Sequence, residues 1–375
     1  MPASAAGIGE SAKTFRISVT SDEGQALRSS SEALISGDGR YVVFESGAAL
    51  DGGGRFDNVF LRDRSRGITR LISVAGAGRQ LNNVALVSAV SKTGRYILFD
   101  TAATNIGPGD GDTHTYLRDR RRGSTTPVRP GAPSNAERGV EVSAAGRFVT
   151  FAFDRGGTTT LLLNDRRAGT LRVVGRSKTV LTGGRMSHRA QQVVFARGAK
   201  LFVWNRIGGR RQSVPLPAAA DLVEAVDISD DGRFVLFDLF RFDTLGNVFS
   251  DAYVRDRQAG VTTRVSVGPP EFSTRVIANS VSDDGRYVAF ESSSSAFVPG
   301  DSNGQNDMFV RDMTAGETLR VSMAADGSQL SSFSAFGRGP ALSADGRVVA
   351  FSTPAAAVAD DTNRVFDVFV RWPLH

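Results

Sequence analysis

Two acidic segments near the end of the chain have residue types and a spacing that could bind a metal ion. Both contain the pattern Asp-x-Asn-x-x-x-Asp, and the residues are Asp301, Asn303, Asp307, Asp361, Asn363 and Asp367. Ca²⁺ prefers carboxylate and amide oxygens and takes roughly six to eight of them. The pattern therefore predicts Ca²⁺ as a bound ion. The alternative is a set of metal-free Asx-turns, because no position supplies the bidentate Glu of a strong calcium loop.

A third segment combines two carboxylates, Asp110 and Asp112, with the imidazole of His114. The other histidines are His188 and His375, and the absence of Cys excludes disulfides and thiolate metal sites. Neither a Gly-x-Ser-x-Gly elbow nor a Walker phosphate loop occurs. Asp110, Asp112 and His114 are therefore the best candidates for binding a metal or a substrate, and the alternative is a surface role without chemistry.

These candidates lie between copies of a repeat whose clearest example is Ser282–Phe290, SDDGRYVAF. Seven copies recur at intervals of 42 to 61 residues, and their closing aromatic residues are Phe44, Phe99, Phe151, Phe195, Phe237, Phe290 and Phe351. Asp-Gly supplies the positive φ angles of a tight turn, and an alternating apolar strand follows it. Each copy therefore predicts a β-hairpin, and the fourth copy is degenerate.

A second cassette, typified by Asp307–Asp312 (DMFVRD), follows each first one, and a strand such as Thr318–Met323 (TLRVSM) comes next. Each unit thus contains four short strands, a to d, and the chain has no convincing helical period. Repeated four-stranded sheets at this spacing are typical of a β-propeller. The predicted fold is all-β, a seven-bladed β-propeller with four-stranded antiparallel blades, and six blades is the alternative.

The two ends of the chain predict how the ring closes. The last unit stops after its third strand at Val368–Arg371, and residues 14–19 match the missing fourth strand. Pairing them closes the ring and removes two exposed sheet edges. We therefore expect residues 1–375 to form a single propeller domain, with residues 1–12 as a flexible N-terminal tail.

The charge of the chain is basic, with 45 Lys and Arg residues against 39 Asp and Glu residues, and this composition raises nucleic acid as a partner. The repeat offers a structural explanation, because the Arg that opens strand b lies opposite the Asp that closes strand c. The predicted pairs are Arg40–Asp63, Arg95–Asp119, Arg147–Asp165, Arg233–Asp256 and Arg286–Asp312. Nucleic acid is therefore not expected as a partner. Membrane insertion is not expected either, since no apolar run approaches roughly 18 to 20 residues.

The cassettes Ser282–Phe290 and Asp367–Arg371 resemble the WD-like repeats of the TolB-type β-propeller family over essentially the whole chain. The resemblance implies a protein-binding platform, a peptidase appendage or a polysaccharide lyase. The peptidase relatives need a hydrolase domain. The lyase relatives use a histidine-rich metal centre, which three scattered histidines do not readily build.

These observations favour a non-catalytic binding scaffold, monomeric and extracytoplasmic (periplasmic or secreted), that presents acidic b–c loops on one face to a protein or glycan. The alternative is a carbohydrate-active enzyme, a lyase or hydrolase, with its site at the central funnel. Convergence of His114 with carboxylates at the funnel mouth would favour the enzyme.

Overall fold

A computed structural model describes residues 12–107, 109–129, 137–330 and 339–374. These residues form seven sheets, each with four antiparallel strands. This confirms the predicted all-β fold, a seven-bladed β-propeller with seven blades rather than six. Residues 1–11 of the predicted tail, and His375, lie outside the described residues.

The strands are numbered along the chain and grouped by blade, from the inner strand to the outer one. Blades one to four contain β2 (Ser30–Ile35), β3 (Tyr41–Ser46), β4 (Asn58–Asp63) and β5 (Ile68–Leu71); β6 (Ala85–Val90), β7 (Tyr96–Thr101), β8 (His114–Asp119) and β9 (Ser124–Pro127); β10 (Arg138–Val142), β11 (Phe148–Arg155), β12 (Thr158–Asp165) and β13 (Thr170–Ser177); β14 (Leu181–Met186), β15 (Gln192–Arg197), β16 (Lys200–Asn205) and β17 (Arg211–Val214).

The remaining three blades follow the same pattern. They contain β18 (Leu222–Ile228), β19 (Phe234–Phe242), β20 (Val248–Asp256) and β21 (Val261–Arg264); β22 (Val276–Val281), β23 (Tyr287–Ser292), β24 (Asp307–Asp312) and β25 (Glu317–Arg320); β26 (Ala341–Leu342), β27 (Val349–Thr353), β28 (Asp367–Trp372) and β1 (Lys13–Arg16). Two 3₁₀ turns, Gly76–Gly78 and His188–Ala190, complete the regular structure. None of the helical segments in the described chain is long and apolar enough to cross a membrane.

The repeated cassette forms the predicted hairpin. In blade one the Ser36 hydroxyl donates to Asp38 at 2.5 Å, and the Asp38 carboxylate accepts the backbone N–H of Arg40 at 3.1 Å. Gly39 lies between them at φ 69°, a conformation that residues with a Cβ rarely adopt. The cassette is therefore a turn whose side chains satisfy its own backbone, which explains its repetition.

The predicted Arg–Asp pairs between strands b and c are confirmed in five blades. Each Arg donates through both Nε and a terminal nitrogen to one carboxylate. In blade one the two N···O distances between Arg40 and Asp63 are 2.8 and 2.7 Å. Such two-point contacts fix the register of strands b and c, and they account for part of the basic composition.

The predicted closure of the ring is also confirmed. Strand β1 pairs antiparallel with β28, with Phe15 opposite Val370, and the N–H of Ile17 donates to the carbonyl of Val368 at 2.7 Å. The last blade is therefore assembled from both ends of the described chain. The inner strands β2, β6, β10, β14, β18, β22 and β26 surround a central channel, where the candidate site lies.

Candidate functional site: the central channel

One end of the channel is narrow and is crossed by ion pairs. The Lys92 ammonium of blade two lies 3.1 Å from Asp230 and 2.5 Å from Asp283, which belong to blades five and six. His188 Nδ1 lies 3.2 Å from the Asp230 carboxylate. The cavity beside these residues measures about 170 Å³. The narrow end therefore joins blades on opposite sides of the ring and leaves little space for a ligand.

The middle of the channel carries charges that compensate one another. Arg185 donates to the Glu141 carboxylate at 3.0 Å. Asp227 accepts the N–H of Ile228 at 2.9 Å, and burial raises the pKa of Asp227 to about 6, although the charge of Arg185 opposes this rise. The charges of Arg185, Glu141 and Asp227 are balanced within the protein, so the middle of the channel has a structural role.

The other end opens into a funnel of about 1120 Å³, the wide end of the channel. Its polar lining includes Arg138, Arg275, Glu224 and Glu291. The Ser292 hydroxyl donates to the carbonyl of Arg275 at 2.8 Å, which anchors Arg275 to the strand that carries Glu291. The wide end therefore combines guanidinium and carboxyl groups in a space large enough for an oligosaccharide segment.

A column of carboxylates follows the closing Phe of strand b. It consists of Glu45, Asp100, Asp238 and Glu291. The first three each accept a backbone N–H from strand a of the next blade. The contacts are Val87 N to Glu45 at 2.6 Å, Gly139 N to Asp100 at 3.1 Å and Ala278 N to Asp238 at 2.9 Å. The column therefore normally joins neighbouring blades.

Glu291 is the exception in this column. It is only 6% exposed, and no described residue forms a hydrogen bond with its side chain. In the next blade the residue equivalent to the donors Val87, Gly139 and Ala278 is Gly339, which precedes the start of β26 at Ala341, and no hydrogen bond joins Gly339 to Glu291. Burial raises the pKa of Glu291 to about 7, and the positive charge of Arg275 opposes part of the rise. Glu291 can therefore exchange a proton near neutral pH.

Two further carboxyl groups accompany Glu291. Burial raises the pKa of Glu224, and the charge of Arg275 opposes this rise. Burial raises the pKa of Asp238 well above its usual range, the Ala278 amide opposes this, and the charges of Glu224 and Glu291 add to the rise. A group of carboxyls with raised pKa values beside one guanidinium can hold and transfer a proton.

The first predicted calcium segment lies between β23 and β24 and is occupied by internal contacts. Asp301 lies 3.3 Å from the Arg320 guanidinium and accepts from Gln329 Nε2 at 3.0 Å. Asn303 Nδ2 donates to Asp307 at 3.0 Å. A guanidinium therefore supplies the positive charge beside this Asp-x-Asn-x-x-x-Asp segment.

The second segment repeats this arrangement with partners from the other end of the chain. Asp361 accepts from Gln25 Nε2 at 2.8 Å and lies 3.8 Å from Arg16, and Asn363 donates to Asp367 at 2.7 Å. Across the described part of the chain, no three His, Asp or Glu side chains are grouped to hold a metal ion. Binding of Ca²⁺ at either segment stays a prediction.

The segment around His114 lies away from the channel. His114 Nε2 is 3.0 Å from Asp110, whose carboxylate also accepts the N–H of Asp112 at 3.1 Å. His114 is buried at the start of β8, the third strand from the axis, and none of the three residues is among the described residues that line the funnel. The structure brings Asp110 and His114 together, and ligand binding by these residues stays a prediction.

The sequence interpretation did not single out Glu224, Arg275 or Glu291. One signal was present, because four of the seven cassettes place an acid directly after the closing Phe. An acid at that position belongs to a strand with buried neighbours, so it needs a partner or has a raised pKa. What separates Glu291 from the other acids is visible only when neighbouring blades are compared.

No protein-family model and no curated protein sequence matches the chain. Among solved structures, an oligogalacturonate lyase in complex with manganese has a TM-score of 0.60 and 13% identity over 98% of both chains. An oligogalacturonate lyase from Vibrio parahaemolyticus has a TM-score of 0.59 and 13% identity, covering 98% of this chain and 97% of the other. The β-propeller domain of the Trilobed protease from Pyrococcus furiosus has a TM-score of 0.59 and 14% identity, covering 93% and 95%. At these identities the similarity shows a shared fold.

The comparisons correct the prediction of a non-catalytic scaffold. The two lyases are enzymes, and they share the fold over nearly the whole of both chains. They favour the alternative of a carbohydrate-active enzyme over the scaffold. Two of the carboxylates that the scaffold prediction offered to a partner, Asp301 and Asp361, contact arginine and glutamine within the chain.

The predicted resemblance to TolB-type repeats is confirmed at the level of the β-propeller fold, and the repeat family itself stays a prediction. Manganese, which accompanies the first lyase, does not fit the donor set of the residues that the structure describes. His114 and His188 each contact one carboxylate, and they lie in different blades.

Proposed function

We propose that the protein is a carbohydrate-active enzyme that cleaves an oligosaccharide containing uronic acids, with its site at the wide end of the channel. The observation that supports this most is Glu291, a buried carboxyl group that lines the funnel without a hydrogen-bond partner among the described residues. An unsatisfied buried carboxyl is costly, so it is expected where a ligand or a reaction uses it.

Substrate binding relies on the positive groups of the funnel. Arg275 and Arg138 are exposed at its wall, and no described residue accepts a hydrogen bond from either guanidinium. A guanidinium binds a carboxylate through two parallel hydrogen bonds, and a uronic acid presents one carboxylate per sugar unit. Asn279 and Asn306 line the same space and can bind sugar hydroxyls.

The proposed reaction is β-elimination. In a bound uronate, Arg275 pairs with the sugar carboxylate and makes the neighbouring C5 proton more acidic. Glu291 in its ionised form removes that proton, and the electron pair forms the C4=C5 double bond as the C4–O bond to the next sugar breaks. Glu224, whose pKa burial raises, donates a proton to the departing oxygen. Each carboxyl thus has one role, general base or general acid.

The test is an assay with purified protein on oligogalacturonate and on neutral oligosaccharides of equal length. Elimination creates a conjugated double bond that absorbs ultraviolet light, whereas hydrolysis releases reducing ends without that absorbance. We expect absorbance with oligogalacturonate and no product with the neutral oligomers. Reducing ends without absorbance would replace the lyase by a hydrolase, and the absence of cleavage of every uronate oligomer would refute the proposal.

A further inference from the structure

The face of the propeller opposite the funnel is built from the a–b and c–d turns. The two turns of a blade are joined by a backbone hydrogen bond, for example Arg120 N to Arg95 O at 3.1 Å in blade two and Arg166 N to Arg147 O at 2.9 Å in blade three. We call this surface the turn face. It surrounds the narrow end of the channel, so a ligand bound there is separate from the funnel.

Some arginines of the turn face have structural partners. Arg120 donates to the carbonyl of Gly94 at 2.8 Å, Arg166 to that of Gly146 at 2.9 Å and Arg206 to that of Ala190 at 3.1 Å. Each of these residues ties a c–d turn to the a–b turn of its own blade. These three arginines add positive charge to the turn face, but their hydrogen bonds to backbone carbonyls give them a structural role.

A second group of arginines in blades two, three and four has no such explanation. These exposed residues are Arg121, Arg122, Arg167, Arg189, Arg210 and Arg211. Arg122 comes within 3.9 Å of Asp119, a carboxylate already bound by Arg95. For the other five, no described residue accepts a hydrogen bond from the side chain. The only acidic residues in these six turns are Asp119 and Asp165, and both are paired with the strand b arginines.

The basic turns form one continuous surface. Arg166 Nη2 donates to Thr126 Oγ1 at 3.1 Å, which joins blade three to blade two. Arg172 Nη1 donates to the carbonyl of Arg206, which joins blade three to blade four. Exposed guanidiniums therefore occupy adjacent turns across three neighbouring blades.

Blades five, six and seven differ from blade four at one position of the a–b turn. At the position of Arg189, blades five, six and seven carry the exposed acids Asp231, Asp284 and Asp345. The basic turns of blades two to four therefore contrast with this acidic position of blades five to seven. A surface with one sign of charge concentrates ligands of the other sign, and here it favours an anion that extends over several blades.

We infer that the turns of blades two to four bind a polyuronate chain, at a site separate from the funnel. The choice of partner rests on the proposed function, which gives a substrate with one carboxylate per sugar unit. Exposed guanidiniums match such a chain, because each can form a two-point contact with a carboxylate. Binding there holds the polymer next to the enzyme, so the funnel encounters ends of the same chain at a higher effective concentration.

The experiment measures binding of polygalacturonate by the full chain with Glu291→Gln, which cannot cleave the polymer if the proposed function holds. The double variant Arg121→Gln/Arg122→Gln is compared with Arg28→Gln/Arg55→Gln, which removes two exposed charges from loops on the funnel face. We expect the first pair to raise the dissociation constant about tenfold and to lower its salt dependence, and the second pair to have little effect. With Glu291 intact, cleavage of a short uronate oligomer should be unchanged in both pairs.

Several results would overturn the inference. Equal weakening by both pairs would indicate net charge alone, and loss of binding only on Arg275→Met would place the polymer in the funnel. Tighter binding of a DNA duplex through the same arginines would assign the surface to nucleic acid. Cleavage of short oligomers without polymer binding would refute this inference and leave the proposed function intact. Polymer binding without any cleavage would refute the proposed function and leave the binding surface intact.

Discussion

Two regions of the propeller contain the same tripeptide with different outcomes. Phe44-Glu45-Ser46 and Phe290-Glu291-Ser292 occupy the same positions of strand b in blades one and six. Glu45 accepts the N–H of Val87 at 2.6 Å from strand a of blade two. Glu291 faces blade seven, whose strand a has two residues where β6 has six, and no described residue contacts its carboxyl by a hydrogen bond.

The difference shows that the neighbouring blade decides what the repeated acid does. Where strand a is long, its backbone binds the carboxylate and the acid joins two blades. In blade seven strand a is short, the same acid is buried without a hydrogen-bond donor among the described residues, and burial raises its pKa. A structural position of the repeat thereby becomes a group that can exchange protons at neutral pH.

The largest expected effect separates the two glutamates by activity. Glu291→Gln keeps the size of the side chain and removes the base, so uronate cleavage should fall about 10²- to 10⁴-fold. The matched variant Glu45→Gln should retain cleavage within a few-fold. Steady-state rates on oligogalacturonate measure both, and equal losses in the two variants would break the comparison.

The next effect concerns stability and has opposite signs at the two sites. Because the pKa of Glu291 is raised, the folded protein holds a proton that the unfolded chain has lost, and stability falls as the pH rises from about 4.5 to about 7. Glu291→Gln removes this loss. The free energy of unfolding of the variant should therefore exceed that of the unchanged protein by up to about 3 kcal/mol at pH 8 but by little at pH 5.

Glu45→Gln should instead lower the free energy of unfolding by about 1 kcal/mol, because the Val87 N–H then donates to a neutral amide oxygen and no longer to a charged carboxylate. Urea unfolding at pH 5 and pH 8 measures both variants. A gain of stability in both, or a Glu291→Gln effect that does not change with pH, would contradict the assignment of the two environments.

A smaller effect is expected at Arg275. Blade one has no arginine at the equivalent position, so this residue is a further difference between the surroundings of Glu291 and Glu45. Arg275→Met should raise KM for uronate oligomers about 10- to 100-fold through loss of a charge-assisted contact. It should also move the acid limb of the pH–rate profile to higher pH, because the charge of Arg275 lowers the pKa of Glu291. Arg275→Lys, which keeps the charge, should retain the pH profile better than KM.

The smallest effect is expected at the narrow end of the channel. Lys92→Met leaves Asp230 and Asp283 without their shared cation, and because all three side chains are partly solvated the cost should be about 1 kcal/mol. Thermal unfolding in low and high salt measures this, with a smaller difference in high salt. Cleavage should stay near the level of the unchanged protein, and a large loss would mean that the narrow end takes part in the reaction.

Much of the fold could be predicted from the sequence because its determinants are local and repeated. The side chains of the Ser-x-Asp-Gly turn form hydrogen bonds with its own backbone, so this motif alone predicts a hairpin. The Arg40–Asp63 pair and its four relatives followed from two columns of the repeat, and the pairing of β1 with β28 followed from one missing strand. Each of these features depends on residues that recur at fixed positions.

The candidate site could not be predicted in the same way. Glu45 and Glu291 have the same neighbours in sequence, and the difference between them lies in a strand about 50 residues further along the chain. Asp301, Asp361 and His114 were predicted to bind ligands from residue type and spacing. These features do not show that Arg320 and Arg16 lie beside the two aspartates. Chemistry at the funnel depends on which polar groups remain without partners, and that is a property of the assembled ring.

The joint between β1 and β28 sets the order in which the protein can be completed during synthesis. Residues 13–16 leave the ribosome some 350 residues before the strand with which they pair. Until then the nascent first strand has no permanent neighbour, and the circle stays open at one position. Closure of the ring therefore waits for the synthesis of β28, and a chaperone that shields β1 until then would act on this step.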